Sequence, residues 1–126
     1  GNGADVIYQA ADMTGLGVVS GAVEAGAKAI GMYGDQTSMA YFSFLSSIFQ
    51  DLGYVVENRG HATRDGTFRN DGAEWMPPLK EIFYFVAGSK DTPFVAANVP
   101  ADVQAKVLAI YEDMAAGKIQ VTSSSE

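Results

Sequence analysis

Hydrophobic positions fall into short, well-separated runs with two different periods. Ala4-Asp5-Val6-Ile7-Tyr8-Gln9-Ala10 is an apolar run of strand length with β-favouring residues at its centre. Asp12-Met13-Thr14-Gly15 reads as a turn with Thr14 as a helix N-cap. Leu16, Val19 and Val23 then recur at spacings of three and four, one face of a helix that Gly26 ends. Ala29 to Tyr33 is a second short strand, followed by Gly34-Asp35-Gln36. Strand, helix and strand with connections this short predict a βαβ unit with parallel strands and a right-handed crossover.

Beyond Gln36 the pattern predicts a helix over 38–52. Met39, Phe42, Leu45, Ile48, Phe49 and Leu52 form a wide apolar face, which Tyr41 and Phe44 broaden. Such a helix is deeply buried or covered by a partner. Tyr54-Val55-Val56 reads as a short strand and Glu57 to Gly72 as a polar loop. Pro77 and Pro78 interrupt regular structure, and Pro78 can open a helix from Leu79 to Val86, closed by Gly88. Val103, Val107, Ile110 and Met114 mark a helix that starts near Ala101 and stops at Gly117. Lys118 to Thr122 alternates like a final strand. The pattern predicts one α/β lobe over 1–122 and a polar tail over 123–126, with no internal repeat.

Composition narrows the function classes. The chain has 126 residues, 48% of them hydrophobic, enough for a real core in one domain. Eight Lys+Arg against 15 Asp+Glu give a formal charge of −7, which argues against phosphate backbones and anionic lipid as partners. The absence of cysteine removes disulfides, thiolate metal sites and thiol nucleophiles. One histidine, His61, excludes two-histidine metal sites, and no Gly-x-Ser-x-Gly elbow supports a serine triad around it. His61 reads as an exposed loop residue, and Asp65, Asp71 and Glu74 as solvated loop charge without calcium-loop spacing. No catalytic residue, metal site or cofactor is expected. The start at Gly1, without a Met, reads as a processed or cut chain.

In open α/β sheets ligands sit at the carboxyl ends of the parallel strands. That rule selects Asp12, Met13 and Thr14 after the first strand and Tyr33 and Asp35 after the second. Both loops also read as ordinary caps and turns. A dinucleotide is disfavoured, because Asp12 stands where the phosphate loop needs glycine and would repel an anion.

The two loops carry a resemblance. Gly3-Ala4-Asp5-Val6-Ile7 followed by Thr14-Gly15-Leu16-Gly17-Val18, and then Ile30-Gly31-Met32-Tyr33-Gly34-Asp35-Gln36, resemble the basic membrane protein family of substrate-binding lipoproteins, which includes purine-nucleoside-binding proteins of ABC transporters. Gly66-Thr67-Phe68, Trp75, Leu79-Lys80-Glu81 and Pro100-Ala101-Asp102-Val103 through Val121 are similar to later parts of the family pattern, in the same order. The resemblance implies two α/β lobes joined by a hinge, a ligand clamped between them, and an ABC permease as partner. It implies a periplasmic-binding-protein-like lobe with a parallel βαβ core, a Rossmann-like three-layer sandwich. This chain would be an incomplete, C-terminal piece. The location implied is extracytoplasmic, with a lipid anchor outside this chain.

Three departures bear on the ligand. Asp12 and Met13 replace the turn's two glycines, and Tyr33 replaces an aspartate that holds ribose hydroxyls in nucleoside binders. Ala40 or Tyr41 replaces a lysine. A tyrosine can stack on a ring but cannot accept two hydroxyl donors as a carboxylate does. The expected ligand is therefore a small polar or aromatic metabolite, seated by Asp12, Met13, Thr14, Tyr33, Asp35 and Tyr41, with Trp75 as a stacking wall. The competing expectation is a self-associating assembly module, a homo-oligomer reusing the fold.

Overall fold

The structure, a computed structural model, describes residues 3–71 and 77–120. Four strands form one sheet in the order β1 (Val6–Tyr8), β2 (Lys28–Tyr33), β3 (Phe44–Gln50), β4 (Phe83–Val86). β1, β2 and β3 run parallel and β4 runs antiparallel to β3. Helix α1 (Gly15–Glu24) links β1 to β2, as the spacing of Val19 predicts, and Gly26 ends it with φ +71°. The βαβ unit read from the sequence is present with parallel strands.

The link from β2 to β3 differs from expectation. It spans ten residues, 34–43, and holds only two 3-10 turns, Thr37–Met39 and Tyr41–Ser43. Instead of a helix over 38–52, the chain enters β3 at Phe44. Phe44, Ser46 and Ser47 are 0%, 3% and 0% exposed, so the first half of this central strand is buried on both faces. A strand buried on both sides carries apolar residues at nearly every position and imitates a broad helical face.

The next element differs as well. The predicted strand at Tyr54–Val56 lies inside α2 (Leu52–Arg64), whose N-terminus is capped by Asp51: its carboxylate accepts from the Tyr54 N–H at 3.0 Å. Residues 57–64, read as loop, continue that helix. Leu79–Val86 is likewise not one helix: α3 (Leu79–Ile82) makes a single turn and β4 follows. Pairing with β3 decides the matter over propensity. Helix α4 (Ala101–Ala115) agrees with the reading, and Gly117 turns the chain at φ +71°. Lys118–Gln120 is not strand, and the rest of that predicted strand, with the 123–126 tail, lies outside the described residues.

Register sorts the sheet's two faces. Ile7, Ala29 and Phe44 pair across β1, β2 and β3 and meet Val19 and Ala22 of α1, with Ala87 and Val95 completing the core. The opposite face carries Tyr8, Ile30, Met32, Ile48 and Phe85. There α4 stands over an apolar groove and buries none of its residues fully.

Candidate functional site

At the carboxyl ends of the three parallel strands a buried polar latch joins the chain. Gln9, 3% exposed, follows β1 and donates from Nε2 to Gln36 Oε1 at 2.7 Å. Its own Oε1 accepts from the Ala11 N–H at 3.0 Å. The Gln36 N–H donates to Ser47 Oγ on β3 at 3.1 Å. Buried amides and hydroxyls are stable only when so satisfied, and the latch fixes the strand ends relative to one another. Two glycines make room for it. A Cβ on Gly31 would stand 2.5 Å from Ser47 Oγ, and one on Gly15 would stand 2.3 Å from Gln9 Oε1. Sequence reading missed Gln9 and Ser47; the available signal was Gly31, since a glycine inside a strand often marks a close approach.

Above the latch sit the two nominated loops. Asp12 (φ +51°) and Tyr33 (φ +71°) are the non-glycine residues with left-handed backbone among the described residues. That conformation costs roughly 1–2 kcal/mol for an ordinary side chain, less for aspartate. Met13 is 81% exposed and Tyr33 43% exposed, so both present apolar surface to solvent at this edge. Thr14 holds the N-cap position of α1, but its hydroxyl donates to the Ala11 carbonyl at 2.5 Å instead of capping the helix.

Asp35 is brought beside Tyr33, yet both its oxygens are engaged. Oδ1 accepts from the Thr37 N–H at 3.0 Å and the Thr37 hydroxyl at 2.6 Å, and Oδ2 accepts from the Gly88 N–H at 2.7 Å. Partial burial disfavours the charge, but the three donors outweigh it and hold the carboxyl below its ordinary range. Asp35 thus ties the β2 loop to the turn after β4.

An aromatic row completes the edge. Tyr33, Phe49 and Tyr84 are register neighbours across β2, β3 and β4. Phe49 and Tyr84 stack with centroids 4.7 Å apart, and the Lys90 ammonium lies 4.8 Å from the Tyr84 ring centre. The helical reading of 38–52 hid this row. Tyr41 is not brought to this edge: it lies in the turn before β3, at the amino end of that strand, packed edge-on against Phe42. Trp75 lies outside the described residues.

The remaining candidate chemistry is dispersed. Among the described residues no group of His, Asp or Glu is arranged to hold a metal ion. His61 lies on α2, where it lines a shallow depression with Tyr54, Glu57 and Asn58. Asp65 pairs with Arg64 and Asp71 with Arg69. No described helix is long and apolar enough to cross a membrane.

Known proteins carry the same architecture. The chain aligns with the solved structure of a transcriptional activator of the comK gene from Bacillus halodurans at TM-score 0.71 and 19% identity, covering 94% of this chain and 39% of that one. It also aligns with an ABC transporter solute-binding protein from Conexibacter woesei DSM 14684 at TM-score 0.54 and 21% identity, covering 95% of this chain and 38% of that one. At these identities the likeness is one of fold, and this chain spans about two fifths of either structure. No curated protein sequence matches it. A mixed sheet flanked by helices with a polar, aromatic carboxyl edge defines a lobe of the periplasmic-binding-protein type. Residues 1–86 match the Bmp family, described as ABC transporter substrate-binding protein PnrA-like, and the chain belongs to that family.

Proposed function

We propose that this chain forms one ligand-holding lobe of an exported, two-lobed solute-binding protein that delivers a small planar or polar solute to an ABC permease and performs no chemistry. The observation that carries the reading is the left-handed backbone at Asp12 and Tyr33. Both sit at the carboxyl ends of neighbouring parallel strands, where such sheets bind ligands, directly over a rigid buried latch. Family membership supports solute binding as the class of activity and an extracytoplasmic location, with a lipid anchor carried outside this chain.

Tyr33, Asp12 and Met13 argue for a ligand other than a simple nucleoside. Tyr33 offers a ring face and one hydroxyl, and the Phe49–Tyr84 stack beside it extends the flat surface. Asp35, with both oxygens engaged, shapes the loop that holds Tyr33. Closure of two lobes on the ligand would complete the site by a hinge motion.

The test is thermal melting of the complete protein against nucleosides, nucleobases, aromatic amino acids and small polar metabolites. A true ligand at a hundredfold excess over Kd stabilises by about 2.7 kcal/mol, a shift of several degrees. A panel that leaves the melting temperature unchanged throughout contradicts the reading.

A further inference from the structure

One lysine stands apart from the others. Among the described residues Lys80, Lys106 and Lys118 sit in ion pairs, and Lys28 donates to the Phe42 carbonyl and to Asn98 Oδ1. Lys90 has neither an ion pair nor a hydrogen bond among them; its ammonium lies against the Tyr84 ring. An exposed cation over a phenol ring is held weakly and is free to turn to a stronger partner. Its backbone is nevertheless fixed. The Ala87 N–H donates to the Thr92 carbonyl at 2.6 Å, and the Ser89 hydroxyl donates to that of Thr92 at 3.0 Å. Gly88, at φ +94°, donates its N–H to Asp35. The turn that carries Lys90 is thereby pinned to the loop that carries Tyr33.

The polar groups around the aromatic row divide into used and unused. Gln9, Gln36, Ser47 and Asp35 are engaged in the latch and its loop, and Ser89 with Thr92. The Tyr33 and Tyr84 hydroxyls and the Lys90 ammonium are left without a hydrogen bond among the described residues. Solute pockets orient their ligands with a few such unpaired groups. An ammonium can only donate, so its complement is an acceptor, and an anionic acceptor binds it best.

We propose that the solute of this edge is a planar carboxylate and that Lys90 selects its charge, receiving the carboxylate beside Tyr84 while the ring rests along Tyr33 and Phe49. Phosphate is the poorer candidate, because Lys90 is a single cation and the N-terminus of α2, which follows β3, is already capped by the Asp51 carboxylate. Three acidic groups oppose an anion here, none of them decisively. Asp12 lies beyond β1, three strand spacings or about 14 Å from β4, farther than the screening length of about 8 Å at physiological salt. Asp35 is nearer, but three donors share its charge. Asp91 is exposed to solvent. The inference rests on the solute-binding reading and adds the charge of the solute to it.

Matched acids and amides test it: benzoate against benzamide, nicotinate against nicotinamide, and indole-3-acetate against indole-3-acetamide. Each is titrated by calorimetry into the complete protein and into its Lys90→Gln and Lys90→Arg variants. Lys90 is exposed, so both variants should fold, which melting without solute checks. The expected result is an acid bound about tenfold or more tightly than its amide, with the preference weakened by added salt. Lys90→Gln should lose that preference with amide affinity unchanged, and Lys90→Arg should keep it. Amides bound as tightly as acids, or a preference that survives in Lys90→Gln, would overturn the inference while leaving solute binding intact. Phenyl phosphate bound more tightly than benzoate would overturn the choice of carboxylate. If no pair binds, the inference falls as well, and the wider panel of solutes decides the solute-binding reading on its own.

Discussion

On one face of the sheet α1 presses Val19 and Ala22 against Ala29 and Phe44, and those side chains are at most 2% exposed. On the other face α4 stands over an apolar groove and buries none of its residues fully. The same strands thus carry a finished interface and an unfinished one. The difference separates what holds this chain together from what the chain offers to others. The finished face and the latch at its carboxyl end supply the rigidity that lets Asp12 and Tyr33 keep a strained backbone at the solvent edge.

That division can be tested by substitution. Phe44→Ala, at a fully buried site, is expected to cost about 3–5 kcal/mol, a large share of the stability of a domain this size. Ile110→Ala, on the open face, is expected to cost less than about 1 kcal/mol in the 126-residue chain. Urea midpoints measure both, and equal losses would erase the distinction between the faces.

Gly31→Ala comes next, at about 1–3 kcal/mol, because its Cβ would drive Ser47 and Gln36 apart and open the latch. A midpoint unchanged from the parent would mean the latch does not restrain the strand ends. Asp35→Asn removes the charge from three hydrogen bonds at a largely exposed site, and about 1 kcal/mol is expected. Its pH dependence has a definite sign. The folded carboxyl titrates below its unfolded value, so its stabilisation is full above the ordinary carboxylate range and disappears as pH falls through the folded value. The parent should lose more stability than Asp35→Asn across that acid window, and parallel curves would contradict the latching role.

The smallest effect is expected at Tyr33→Gly. Relief of left-handed strain is offset by glycine's backbone entropy, leaving a gain of about 0.5 kcal/mol in stability. The gain in melting temperature should be accompanied by loss of ligand affinity in the complete protein. A substitution that lowers stability would show that Tyr33 packs the edge for structural reasons.

Local rules made part of the fold legible. The β1–α1–β2 unit followed from a three-four spacing, Gly26 and two short apolar runs, all signals that act within a few residues. The 3-10 turns, β3 and β4 did not follow, because their identity depends on pairing with distant strands. Phe44 to Gln50 places apolar residues on both faces around a buried Ser46-Ser47 pair, which period alone cannot assign. The nominated loops after β1 and β2 do converge at one edge, since that rule depends only on strand direction. Tyr41, nominated from the family resemblance, lies at the amino end of β3 instead of at this edge. Gln9 and Ser47 escaped notice because a buried amide or hydroxyl has no sequence signature of its own; only the glycine opposite betrays it.

The claim that the carboxyl edge is the ligand seat is tested most directly by hydrogen–deuterium exchange on the complete protein with and without a stabilising solute. The account predicts slowed exchange at residues 9–14 and 33–36, with little change at Tyr41–Ser43 or along α4. Protection centred on α4 and the apolar groove, with the two loops unaffected, would contradict it.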